Sequence, residues 1–198
     1  MIISEDLLVA HGAVYKNFQP GELIFEEGNV PKYYFQIVAG MVELFNYHQN
    51  GKEFTQNILN DGQSIGESLL FAERPYPMSA MSKTDCKILC LCKSDFDNLL
   101  SQNVHVMQNL LHCLSERLYY KYLMLFNLSG IEPSVKIKTV LDYIKDYNLR
   151  NVSDSFQVPF TRQQIANLTG LAVETVIRTI KKMETEQILK IERGKILY

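Results

Sequence analysis

The sequence predicts an α+β chain: an N-terminal antiparallel β-roll, then a long helix, then a C-terminal unit of short helices closed by a hairpin. Three observations carry this. Short apolar runs parted by glycine-bearing turns fill residues 12–93, and residues 94–128 contain neither glycine nor proline. Beyond them, two short helical segments flanking Gly170 precede a last pair of short apolar runs.

The roll is read from runs at 14–18, 23–25, 34–38, 42–47, 54–59 and 86–92. Between them lie Pro20-Gly21, Gly28-Asn29, Gly40, Asn50-Gly51 and Asp61-Gly62. Short strands at near-regular spacing with such turns predict an antiparallel sandwich or barrel, and Asn50-Gly51 is a two-residue hairpin signal. Cys86, Ile88, Cys90 and Cys92 share one parity and so one strand face. A metal or iron–sulfur site is the alternative; small apolar residues on a packed face are the expectation, since knuckle ligands come from turns. The fourth cysteine, Cys113, stands apart.

Residues 94–128 predict one unbroken helix. Leu111, Leu118 and Leu125 recur every seven residues, with Leu114, Lys121 and Leu128 in the companion row. Two interleaved heptad rows form a narrow seam that packs on another helix, expected to be that of a second copy of the chain; a single helix lying on its own domain's core is the alternative. Ser129-Gly130-Ile131-Glu132-Pro133 stops this helix and starts the next. The expected domains are therefore 1–100 (roll), 101–129 (dimerisation helix) and 130–198.

In the last domain a helix over 133–147 carries Val135, Ile137, Val140, Leu141 and Ile144 on one face, and 148–155 is a polar connection. Thr161 is the expected N-cap of a helix over 162–168, and Gly170 supplies the positive φ of a three-residue break. A second helix follows over 172–186, with Ala166 small where the helices cross and Ile165, Leu168, Leu171, Val176 and Ile180 between them. This is a helix-turn-helix, whose second helix enters the DNA major groove. Residues 188–197 turn at Arg193-Gly194 and form a wing.

The exposed start of the second helix presents Val173, Glu174, Ile177 and Arg178. Arginine can grip guanine with both arms and glutamate accepts from cytosine; Val173 and Ile177 suit thymine methyls. A solvated Glu174–Arg178 ion pair is the structural alternative. Lys181 and Lys182 suit phosphates, which position without specifying. Thr161, Arg162, Gln163 and Thr175 complete the expected DNA-binding set.

Composition fits this reading. The net charge of −2 divides unevenly: eleven basic against eight acidic residues in 132–198, and nine against fourteen before them. No apolar run approaches the ~20 residues of a membrane span, and no secretory pattern opens the chain, so a cytoplasmic protein without a membrane partner is expected.

Pro20-Gly21-Glu22-Leu23-Ile24-Phe25, Glu27-Gly28, Gly40-Met41-Val42 and Gly66-Glu67-Ser68-Leu69-Leu70 stand in the roll. Thr161-Arg162-Gln163-Gln164-Ile165-Ala166 and Glu174-Thr175-Val176-Ile177-Arg178 stand in the C-terminal unit. With these motifs the chain resembles the Crp/Fnr family of bacterial regulators over nearly its whole length. The resemblance implies a cyclic-nucleotide-binding-like roll, a dimerisation helix and a winged helix-turn-helix that reads twofold DNA half-sites about one helical turn apart. Val173-Glu174-Thr175 is closer to the oxygen-sensor branch than to the cyclic-AMP branch, which implies TTG-like half-sites; Ile177 departs from that branch's serine. Residues 148–155 could touch RNA polymerase, though nothing in their residue types demands it.

The resemblance also places an effector pocket at Gly66, Glu67, Ser68, Met78, Ser79, Lys121 and Tyr122. Cyclic-AMP binders carry an Arg-Ser pair for the phosphate, and Met78 stands where the arginine belongs. Glu67, the ribose-binding candidate of the resemblance, and Ser79 remain, but losing the cation opposite a buried phosphate costs several kcal/mol. Cyclic AMP is not the expected effector, which is left open, and a cyclic-nucleotide responder with a divergent pocket is the alternative. No cysteine precedes Cys86, so the oxygen sensors' cluster is missing, and His11, His48, His105 and His112 form no haem ligand set. No cofactor, metal site or catalytic residue is expected. A cupin-type metal enzyme would need clustered histidines, and only His48 lies among the strands. A purely ligand-binding subunit would lack the helix-turn-helix.

Overall fold

A computed structural model describes residues 1–51, 53–130, 132–148 and 156–198, and among these the side chains of 127–128 and 146–148 are left aside. The side chain of Leu128 and the connection beyond Asn148 therefore lie outside the described residues. The chain forms two compact units, Met1–Glu116 and Arg117–Tyr198.

The first unit begins with α1 (Glu5–Ala10), β1 (Val14–Phe18), β2 (Leu23–Phe25), β3 (Tyr33–Ala39), β4 (Val42–Tyr47) and β5 (Glu53–Leu59). It continues through β6 (Ser64–Ile65), α2 (Glu67–Ala72), β7 (Ser79–Ser82), β8 (Cys86–Cys92) and α3 (Lys93–Gln102). Two four-stranded antiparallel sheets result, ordered β1-β8-β3-β6 and β2-β7-β4-β5. Their facing sides bury one cluster that includes Phe25, Phe35, Ile37, Leu44, Tyr76, Met78 and Ile88. The other side of the first sheet buries Tyr34, Leu89 and Leu91 beneath Leu8, Phe96 and Leu99 of α1 and α3. Strand β8 is thus covered on both faces, which is why it reads as a continuous apolar run. Cys86 and Cys90 belong to the inner cluster, the packed-face role expected of them.

Two short strands, β6 and β7, were not expected. Their Ser64-Ile65 and Ser79-Ala80-Met81-Ser82 carry too little alternation to register as strands. The long helix also breaks. Asn103 leaves helical geometry at φ −131°, ψ 80°, and its side-chain amide donates to the Leu99 carbonyl at 2.9 Å. An asparagine side chain that competes for a helical carbonyl ends a helix without glycine or proline. The helix proper, α4, is Val104–Ser129, and the division between the units falls within it.

The second unit contains the rest of α4, then α5 (Pro133–Asn148), α6 (Arg162–Thr169), α7 (Val173–Thr185), β9 (Lys190–Glu192) and β10 (Lys195–Leu197). Ile137, Val140, Leu141 and Ile144 of α5 are buried, with Ile165, Ala166 and Leu168 of α6 and Val176, Ile180 and Met183 of α7. Val135, expected on the same face of α5, is 45% exposed; one turn from the helix start it overhangs the packed stripe. Leu171 is half-buried at the turn.

Thr161 caps α6 with a reciprocal box. Its hydroxyl accepts from the Gln164 backbone N–H at 3.2 Å, and the Gln164 side chain accepts from the Thr161 N–H at 2.8 Å. Thr161→Ala is expected to destabilise the C-terminal unit by about 1 kcal/mol in urea unfolding. No measurable change would show that the cap does not hold the helix.

Candidate nucleic-acid interface and effector pocket

The helix-turn-helix is built from amphipathicity. Gly170 ends α6 in the left-handed region at φ 70°, and Ala172 caps α7 in extended backbone. One face of α7 buries Val176, Thr179, Ile180 and Met183. The opposite face leaves Glu174, Ile177, Arg178, Lys181 and Lys182 exposed, while Val173 and Thr175 are half-buried at its margin. The expected reading residues are thus brought together on the first turns of α7. No hydrogen bond or ion pair joins Glu174 to Arg178 among the described residues, so the solvated-pair alternative is not the observed arrangement. Lys182 lies 3.7 Å from Glu186, a loose exposed pair.

The α6 residues behave differently. Gln163 is exposed and its side chain donates to Asn167 at 2.9 Å. Arg162 is half-buried, and its Nη1 donates to the Gly194 carbonyl at 2.6 Å. Sequence reading took Arg162 as a DNA contact and missed this bond. Only tertiary folding brings positions 162 and 194 together.

Within the roll, Gly66, Glu67, Met78 and Ser79 are buried. Gly66 opens α2 at φ 68°, and Glu67 behind it is buried to 1% exposure. The rings of Phe25 and Tyr76 stack with centroids 3.7 Å apart and 9° between planes. They lie against Gly66: a Cβ there would stand 2.9 Å from Tyr76 Cε1 and 3.2 Å from Phe25 Cε1. Met78 and Ser79 are both buried beside them, and the Ser79 hydroxyl accepts from the Glu27 N–H at 3.0 Å. Ser68 faces outward. The interior at the Gly66 turn is filled by Phe25, Tyr76 and Met78. Of these, sequence reading named only Met78. The signal for Tyr76 was an aromatic ring two residues before Met78, in a segment where a phosphate cradle would be polar.

Lys121 and Tyr122 lie in the second unit, on α4, where Tyr122 is 61% exposed. Along α4, Leu111, Leu118 and Leu125 are exposed, while Leu114 is half-buried against the outer cluster of the roll. The companion heptad row is therefore partly used within the roll itself.

Burial pushes the Tyr76 hydroxyl up to about 12, helped by the Glu67 carboxylate. Burial likewise raises the Cys90 thiol to about 11 despite the nearby Lys16 charge, so it resists thiolate chemistry at neutral pH. No group of three His, Cys, Asp or Glu side chains suited to a metal occurs among the described residues. Nor is any described helix long and apolar enough to cross a membrane.

Comparison with known proteins gives two family matches: the cyclic nucleotide-binding domain over residues 15–103 and the Crp-like helix-turn-helix domain over residues 138–198. The cAMP-activated global transcriptional regulator CRP of Salmonella typhimurium is 27% identical over 183 residues, covering 91% of this chain and 87% of that protein. The cyclic AMP receptor protein of Thermus thermophilus is 27% identical over 179 residues, covering 90% and 81%. Among solved structures, the c-di-GMP-responsive regulator CLP of Xanthomonas campestris superimposes with a TM-score of 0.76 at 19% identity, covering 96% of this chain and 95% of that one. FixK2 of Bradyrhizobium japonicum gives 0.77 at 20% identity, covering 93% and 91%. The last two are likenesses of fold.

The buried Tyr76 hydroxyl has no hydrogen-bond partner among the described residues. Tyr76→Phe is therefore expected to stabilise the roll by about 1 kcal/mol. Because folding raises this group from 10.0 to about 12, its contribution is whole below pH 10 and is lost as pH climbs through about 12. Urea unfolding at pH 8 and 11 checks both points: the advantage of the phenylalanine variant widens at pH 11, and equal curves at the two pH values would refute the assignment.

Proposed function

Because the chain belongs to the Crp/Fnr family of DNA-binding transcription regulators, we propose that it acts as a homodimer reading a palindromic site with TTG-like half-sites. The face of α7 carries this reading: Glu174, Ile177 and Arg178 are exposed and stand on a helix whose other side is fully packed. Arg178 grips guanine O6 and N7, Glu174 accepts from the paired cytosine, and Val173 and Ile177 meet thymine methyls. Lys181 and Lys182, with Thr161 and Gln163 at the start of α6, contact phosphates that fix the register.

The second copy seats on α4. Leu111, Leu118 and Leu125 leave 58%, 52% and 74% of their surface exposed at heptad spacing, an apolar stripe that a parallel α4 covers. Twofold symmetry of the protein then dictates twofold symmetry of the site. Selection from random DNA with the purified protein tests this reading. Enrichment of inverted TTG-like repeats supports it, and a non-palindromic or G-poor site overturns it. Glu174→Ala and Arg178→Ala should each cost about 1–3 kcal/mol of discrimination against the wrong base pair.

The effector of this regulator is not cyclic AMP. Phe25 and Tyr76 occupy the space above the Gly66 turn, and Met78 offers the phosphate no cation. Calorimetry should register no cyclic-AMP binding at millimolar nucleotide. Met78→Arg alone should leave that result unchanged, since it restores the cation without clearing the rings. Micromolar binding by the unaltered protein would overturn the assignment.

A further inference from the structure

The wing turns through Arg193 and Gly194, at φ 49° and 79°, with Glu192 paired to Lys195 on either side. A two-residue hairpin loop with both residues at positive φ is the turn that asparagine-glycine or glycine-glycine adopts readily. Arginine at the first position is strained, because its Cβ crowds the backbone in the left-handed region. The base of the wing is well held: Ile196 is 1% exposed, its carbonyl accepts from the Val158 N–H at 2.9 Å, and Phe156 and Tyr198 exchange backbone bonds. The tip has no such packing, since residues 192–195 are all exposed. What reaches it is Arg162, the first residue of α6, whose Nη1 donates to the Gly194 carbonyl at 2.6 Å.

We propose that Arg162 is a positioning residue, which ties the strained tip of the wing to the start of α6, rather than a ligand of the DNA backbone. This rests on the C-terminal unit being the DNA interface. The bond spans 32 positions and joins the wing to the helix-turn-helix. It is charge-assisted, and it acts on the residue next to the strained Arg193. The exposed cations of the wing, Lys190, Arg193 and Lys195, thereby take a fixed bearing relative to α6 before any DNA arrives. A wing already set in place spares the complex the entropy of ordering it on binding.

Arg162→Met keeps the aliphatic stem and removes the donor. In the full-length protein without DNA, hydrogen exchange of the 192–195 amides should quicken roughly fivefold or more, while α7 amides stay unchanged. Affinity for the selected site should fall about tenfold, and the logarithmic salt slope should stay within a few tenths of the parent value. The double variant Arg162→Met/Arg193→Asn should recover the exchange protection, because asparagine accepts the left-handed turn without the tie. Unchanged wing exchange in the single variant, with a salt slope lower by about 0.9, would instead make Arg162 a phosphate ligand. Failure of that double variant to regain protection would refute the strain component. If the parent protein binds no DNA, the reading of the interface falls, while the exchange measurements still decide the tie.

Discussion

The closure of the roll depends on one missing side chain. At Gly66 the backbone turns through φ 68° directly against the stacked rings of Phe25 and Tyr76, and a methyl group there would meet carbon at 2.9 Å. The two sheets draw together around this contact: Phe25 ends β2 at the edge of one sheet, while Gly66 follows β6 at the edge of the other. In a protein whose interior is packed as densely as a crystal, rings at that point leave no room for a side chain on residue 66. Beside it lie the buried side chains of Glu67 and Tyr76, and burial keeps the Tyr76 phenol neutral.

The second unit solves a different problem, presenting polar groups without burying them. Its helices are short, so each needs a cap and a shared core. The box of Thr161 with Gln164 starts α6, Gly170 ends it, and the packed stripes of α5, α6 and α7 close over one another. Once α7 is fixed by Val176, Ile180 and Met183, a helical period leaves Glu174, Ile177 and Arg178 on the far side.

Much of this was legible in the sequence, where local signals and burial agreed. The strands at 14–18, 42–47 and 86–92, the cap at Thr161, the break at Gly170 and the turn at Arg193-Gly194 all carry their cause within a few residues. Features decided by distant partners were not legible. Strands β6 and β7 exist because β3 and β4 pair with them, not because their own residues demand extension. The end of α3 at Asn103 was missed because an asparagine bond to a carbonyl four residues back leaves no mark in a hydrophobic period. The stack of Phe25 on Tyr76, 51 positions apart in sequence, and the bond from Arg162 to Gly194 are equally non-local. Leu114 followed the heptad rule and yet turned toward its own roll.

The division of labour on α7 has an evolutionary consequence. Residues that hold the helix in place and residues that face outward are disjoint sets. Exchanging Glu174 or Arg178 for other side chains breaks no internal bond of the second unit, so such changes fall within the few tenths of a kcal/mol typical of surface substitutions. Under the proposed reading, a lineage of such proteins can drift from one target sequence to another through well-folded intermediates. The outward face of α7 is free to change because the residues that hold the helix are written on its other side.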